Sequence, residues 1–250
     1  MLDASSISVV LAVYRPERTA LVSLLEGLTP GDWSRRTECP AYPVKGVATH
    51  VLGDDLSLLS RQRDDARNGL ALLAEELPGA DFRTLLDTFN DRWVAAASFL
   101  SNELLLKLLR LSGECTAAYY ERVDPATPGE SVGLFGAAQG GTSPFWQAIA
   151  REYLERWIHH SQIRRALGIG SLADRRFLEP GVQVAGAIAR MEPDIPTGSG
   201  GNWSLGPLLL GSDQQTADIL TRAMTPQEIR GLVGGPTDIV EQFAAVAGRP

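Results

Sequence analysis

The chain has 250 residues, 44% of them hydrophobic, and carries 23 Lys and Arg against 30 Asp and Glu for a formal charge of −7. That balance, with a pI near 5.1, argues against a nucleic-acid partner, which needs a basic footprint, and no basic amphipathic stretch points to a membrane surface. The two cysteines, Cys39 and Cys115, make no disulfide framework. The apolar run Ile7–Val13 is too short and wrongly flanked for a signal peptide or a spanning helix, so a cytoplasmic location is expected.

Ile7–Leu28 places Val10, Tyr14, Leu21, Leu24 and Leu25 at helical spacing, which predicts a first helix. Pro16 either kinks it or marks the first turn of a helix beginning near Arg15, and Gly27 with Thr29-Pro30-Gly31 stops it. Asp32–Pro43 reads as a loop punctuated by Pro40 and Pro43. Pro43 suits the first turn of a second helix, Val44 to about Ala66, on which Val44, Val47, Val51, Leu52, Leu56, Leu58 and Leu59 favour one side. Gly53 weakens that helix unless something packs close to it. A third helix, Phe82–Leu100, carries the stripe Phe82, Leu86, Phe89, Trp93 and Ala97, and Ser101 is a good N-cap for a further helix over Leu104–Val123.

Asp124–Thr142 is a Pro- and Gly-rich connection without periodicity. Ser143 as N-cap and Pro144 at the first helical position then open a fourth main helix, which runs to Leu167 and is ended by Gly168. No strand pattern competes before residue 170. The expected architecture is mainly α: a four-helix bundle over residues 1–170, with ligand or metal sites inside it. After Gly170 the character changes. Leu178–Met191 reads as helix, Trp203-Ser204-Leu205 and Leu208-Leu209-Leu210 as short strands, and Ala217–Ala223, Pro226–Leu232 behind the cap Thr225, and Asp238–Ala247 as short helices. Residues 171–250 are therefore expected to form a small α+β domain.

The chain has only three histidines. Glu155 and His159 stand four apart, the offset that puts two side chains on one helix face and lets them converge on one ion. On a helical wheel Trp146, Ile149, Ala150, Tyr153, Leu154 and Trp157 share one side, and Arg151, Glu152, Glu155 and His159 gather opposite. His160 falls toward the edge of the apolar side. The wheel leaves open whether the polar face meets solvent or lines a polar cavity. His50, on a mostly apolar helix, reads by itself as readily as a hydrogen-bonded core residue. Asp54 lies one turn after it and could orient a ligand, reach a substrate or make a structural ion pair. Asn90, on the third helix, could face the bundle interior or be a surface amide. Cys39 has no basic partner in sequence and reads as packing. No G-x-S-x-G elbow is present, and Gln139–Thr142 lacks the strand and lysine of a P-loop.

The segment Leu28–Asp55, LTPGDWSRRTECPAYPVKGVATHVLGDD, resembles the opening motif of the mycothiol-dependent maleylpyruvate isomerase family, within the wider DinB-like superfamily. Trp33, Cys39, Pro40, Val44, Val47, His50, Leu52, Gly53 and Asp54 fall in register with that pattern. Phe89–Ala97 (FNDRWVAAA) and Ala150–Gly168 (AREYLERWIHHSQIRRALG) resemble the family as well, and the likeness covers roughly residues 5–180. Two departures stand out. His160 occupies a position where the family often has glutamine, which leaves a ligand swap or an extra contact open, and Ala41-Tyr42 replaces the usual Gly-Trp at the pocket mouth.

The resemblance implies a DinB-like four-helix bundle with a divalent metal held by His50, Glu155 and His159, through which these residues act in catalysis. Two imidazoles and a carboxylate suit zinc and leave positions open for water or substrate, and a thiol taken up at such a position loses its proton. It further implies mycothiol as co-substrate, with Asp54 and Asn90 as candidates for contacting it, and a small electrophilic substrate. Isomerisation and S-transfer or thiol exchange are both open. No nucleic-acid or membrane partner is expected, and the protein would be a monomer or homodimer. The alternatives are a non-catalytic binding module with a structural or vestigial metal site, and an enzyme of the same fold that does not use the metal.

Overall fold

A computed structural model of the chain describes residues 1–39, 41–130, 141–198 and 200–248. Pro40, half of the Asp124–Thr142 connection, and Gln139 and Gly140 of the P-loop comparison lie outside the described residues. The protein is mainly helical, of the DinB-like helical class, with ten α-helices and five short strands among the described residues. The chain divides into two compact units, one made of Arg18–Arg122 and the other of Met1–Glu17 with Val123–Pro250, a grouping that runs across residue 170.

The first helix, α1 (Ser8–Glu26), holds Pro16 in its interior. Pro16 offers no N–H to the carbonyl one turn back, yet the helix runs on, because Val10, Val13, Tyr14, Leu21, Val22 and Leu25 are buried on both sides of it.

Within Arg18–Arg122 follow a 3₁₀ turn (Asp32–Ser34), α2 (Val44–Leu58), a π turn (Leu59–Arg63), α3 (Gly69–Glu76), α4 (Phe82–Ala96) and α5 (Asn102–Tyr120). Val44, Val47, Ala48, Val51, Leu52 and Leu58 bury the inner side of α2, and it packs chiefly on α5 and α4. The helix stops short of Ala66 because the apolar stripe ends at Leu59; Ser60–Asp65 is polar, and Asp65 takes a left-handed φ of 54°. Leu56 is 40% exposed and sits outside the expected core. Helix α3 was not foreseen: Asn68 caps it, its side chain accepting from the Leu70 N–H at 2.9 Å. Helix α4 buries no residue fully, and Phe82 at its start is 55% exposed, so the expected stripe begins a turn later. Ser101 caps α5 as expected, accepting from the Leu104 N–H.

A buried ion pair ties this unit together. Arg18 Nη1 lies 2.6 Å from Asp55 Oδ2 and also donates to the Leu109 carbonyl at 2.8 Å. The Ser112 hydroxyl donates to the same Asp55 oxygen at 2.6 Å. Gly113 makes room for this, since a Cβ there would stand 2.5 Å from the Arg18 stem.

In the other unit a ribbon precedes residue 170, contrary to expectation: β1 (Pro128–Glu130) pairs antiparallel with β2 (Thr142–Pro144), Gly129 opposite Ser143. Ser143 and Pro144 are therefore strand residues, and α6 (Phe145–Ala166) begins after them without a side-chain cap. The connection itself supplies the acceptors: Phe145 N–H donates to the Thr127 carbonyl at 2.8 Å and Trp146 N–H to the Pro125 carbonyl at 2.9 Å. Past the helix end, Gly168 takes φ +79°.

Helix α7 (Arg175–Ala189), capped by Asp174, lies against α6. Trp157 Nε1 donates to the Leu172 carbonyl at 2.9 Å and the Tyr153 hydroxyl to the Phe177 carbonyl at 2.7 Å. The sheet β3 (Pro193–Asp194), β4 (Trp203–Leu205) and β5 (Leu208–Gly211) is antiparallel in that order, and α8 (Asp213–Leu220), α9 (Pro226–Leu232) and α10 (Thr237–Ala247) follow. Ser212 with Gln215 and Thr225 with Glu228 form capping boxes on α8 and α9. Among the described residues no helix is long and apolar enough to cross a membrane.

Candidate metal centre

On α2, His50 and Asp54 stand one turn apart, with His50 Nε2 3.3 Å from Asp54 Oδ2. The ring of Tyr42, from the loop before α2, stacks on the imidazole with centroids 6.1 Å apart and planes 24° apart. Behind His50 the backbone is pinned by Trp93 of α4, whose Nε1 donates to the Thr49 carbonyl at 2.8 Å. Gly53 permits that approach, because a Cβ there would fall 2.4 Å from the indole. Asp54 and Asp55 are neighbours in sequence but about 100° apart on the helix. Asp55 turns inward to Arg18, and Asp54, with its side chain 36% exposed, stays with His50.

On α6, His159 Nε2 lies 3.8 Å from Glu155 Oε2, the two side chains 15% and 30% exposed. Gln162 Oε1 sits 2.9 Å from His159 Nδ1. An amide oxygen can only accept, so Nδ1 is the donor in this bond, and Nε2 is the ring nitrogen turned toward Glu155. The polar face of α6 is thus half-buried. Three wheel positions need correction: Glu152 is buried beside Arg151, and Trp146 and Leu154 are only half-buried.

His160 points elsewhere. Its Nδ1 lies 2.8 Å from Glu17 Oε1, and both side chains are 1% exposed. Arg156 is buried near them, its guanidinium 4.8 Å from the centre of the Tyr14 ring. Burial above all, and then the Glu17 charge, pushes the Tyr153 hydroxyl well above its ordinary value, so it remains a donor to Phe177.

Asn90 is half-buried on α4, between Phe89, which fills the space over Gly69, and Asp91, which accepts from the Tyr42 hydroxyl. Cys39 is half-buried, and burial raises its thiol, which keeps it protonated and in keeping with a packing role. Asp91, Gln162 and Glu17 were not singled out from sequence, and Tyr42 stood out only as a departure from the family's loop motif. Gln162 had a readable signal, its i+3 offset from His159. The other three act across 49 residues, in the Tyr42–Asp91 bond, and 143 residues, in the Glu17–His160 pair, which no local pattern reveals.

The chemistry of the donors suits a divalent cation. Each of two helices presents an imidazole Nε2 and a carboxylate oxygen from adjacent turns, the kinds of donor that divalent cations take. Fold and donors together define a DinB-like helical protein with a candidate metal centre. The chain belongs to the mycothiol maleylpyruvate isomerase N-terminal domain family, whose model matches residues 14–164. No curated protein and no solved structure matches it.

Proposed function

We propose that the protein is a cytoplasmic, metal-dependent enzyme that uses a low-molecular-weight thiol, mycothiol, on a small electrophilic substrate. The observation that carries this reading is the repeated pairing of an imidazole Nε2 with a carboxylate, at His50–Asp54 and at Glu155–His159, inside the segment matched by the family. His50, Glu155 and His159 are the proposed ligands and zinc the proposed ion, with Asp54 a further donor through its contact with the His50 nitrogen. A divalent ion bound there supplies positive charge that lowers the pKa of a thiol, giving a nucleophile at neutral pH.

The chain's own residues prepare the donors. Gln162 meets Nδ1 of His159 and so orients the ring with Nε2 toward Glu155. Trp93 anchors the turn of α2 that carries His50. Asn90 and Asp54 are the proposed contacts for thiol or substrate. In such chemistry the thiol sulfur adds to an electrophilic carbon. If that carbon belongs to a conjugated double bond, addition makes it a single bond; rotation and expulsion of the thiol then return an isomer and the thiol unchanged. Retention of the new carbon–sulfur bond gives S-transfer instead. We place this chemistry in a metal-binding helical domain over residues 1–170 and regard residues 171–250 as a small appended domain.

The test is incubation of purified protein with mycothiol and a panel of conjugated and alkylating electrophiles, followed by mass spectrometry and chromatography. Isomerised substrate or thiol adduct, formed faster than without protein and lost in His159→Ala, supports the reading. Metal-loaded protein that gives neither leaves the non-catalytic binding module as the better description.

A further inference from the structure

The His50 imidazole is flanked by a group that the metal reading does not employ. Tyr42 is held in its loop by two bonds of its own backbone, its N–H donating to the Cys39 carbonyl at 3.0 Å and its carbonyl accepting from the Thr37 hydroxyl at 2.7 Å, and the loop is closed by Val44 N–H donating to the Arg35 carbonyl at 2.9 Å. Its side chain crosses the first turn of α2, where Gly46 leaves the room; a Cβ at Gly46 would lie 2.9 Å from the Tyr42 Cβ. The ring then reaches His50 with centroids 6.1 Å apart and planes 24° from parallel, while the hydroxyl donates to Asp91 on α4. A tyrosine that merely covered the loop would need none of these: not the glycine beneath it, the near-parallel ring, nor the carboxylate from another helix.

We infer that Tyr42, latched by Asp91, is a positioning residue that sets the plane of the His50 ring and so the direction of Nε2. An imidazole one helical turn from Asp54 can rotate about two side-chain torsions. Stacking restricts the tilt of the ring, and a stack is only as firm as the hold on the stacking partner. The consequence for affinity rests on the metal-binding reading above; the hold on the ring does not.

The test compares Tyr42→Phe, which keeps the ring and removes the latch, with Asp91→Asn, which keeps an acceptor oxygen at the same place. Two readouts are taken: imidazole proton and nitrogen resonances of the metal-free protein, where only three histidines need assignment, and zinc affinity by chelator competition. Tyr42→Phe is expected to move and broaden the His50 resonances and to weaken zinc binding by about tenfold or more, with Asp91→Asn staying near wild type in both. Unchanged His50 resonances in Tyr42→Phe would overturn the inference, as would unchanged affinity in a wild type that binds zinc. A wild type that binds no zinc would remove the metal reading, and the resonances alone would then decide whether Tyr42 positions the ring.

Discussion

His159 and His160 are adjacent in sequence and opposite in use, and the difference lies in what meets Nδ1. An amide oxygen of Gln162 meets the first and the carboxylate of Glu17 the second. Replacing Gln162 with Leu frees the His159 ring to exchange tautomers, and zinc affinity should fall about tenfold while the melting temperature hardly changes. His160→Leu takes a donor from Glu17 at a site where both side chains are 1% exposed, and should cost about 1–3 kcal/mol in denaturant titrations. His160→Gln, which can still donate, should cost less. The histidines themselves were legible in the sequence because there are few of them and two sit on a well-marked helix. Their Nδ1 partners were not, since only Gln162 is close in the chain. Of the two roles left open for His160, a ligand swap or an extra contact, the Nδ1 contact to buried Glu17 is the one the structure displays.

Among the elements, a side-chain cap marks a helix start only where that side chain receives the first N–H groups. Thr225-Pro226 marked α9 and Ser101 marked α5 because a cap acts within one turn. The start of α6 was misplaced because Thr127 and Pro125, not Ser143, receive its first N–H groups. The β1–β2 ribbon leaves no signal in the sequence, because its strands are three residues each and carry no alternating pattern. Gly53 was recognised as a weak point with two explanations, and Trp93 decides between them. Gly53→Ala should push the indole off α2, strain or break its bond to Thr49, and lower stability by about 1–3 kcal/mol, read from the denaturation midpoint. Asp81, the cap of α4, is held below the usual carboxylate range by the Thr84 N–H above all. A carboxyl lowered on folding adds stability above its unfolded pKa and loses it as pH falls through the folded value. Asp81→Ala should therefore melt below wild type at neutral pH, with the difference vanishing in strong acid.

For the molecule as a whole, the helical class and the family could be read from the sequence, because Trp33, His50, Gly53 and Asp54 lie within one short segment and Glu155 and His159 within another. The division into two compact units could not be read, since it joins Met1–Glu17 to residues beyond 122 through contacts such as His160–Glu17 and the bond from the Tyr14 hydroxyl to the Ile149 carbonyl. Metal should stabilise the folded chain by mass action, by about 2.7 kcal/mol when the free ion exceeds its dissociation constant 100-fold, and chelation should reverse this. The most direct measurement is the bound metal per chain, by elemental analysis of wild type, His50→Ala and His159→Ala purified without chelator and checked for retained helix by circular dichroism. A single divalent ion in wild type, lost in both folded variants, is the predicted result. Wild type without metal, or an ion that survives either substitution, would contradict the proposed centre.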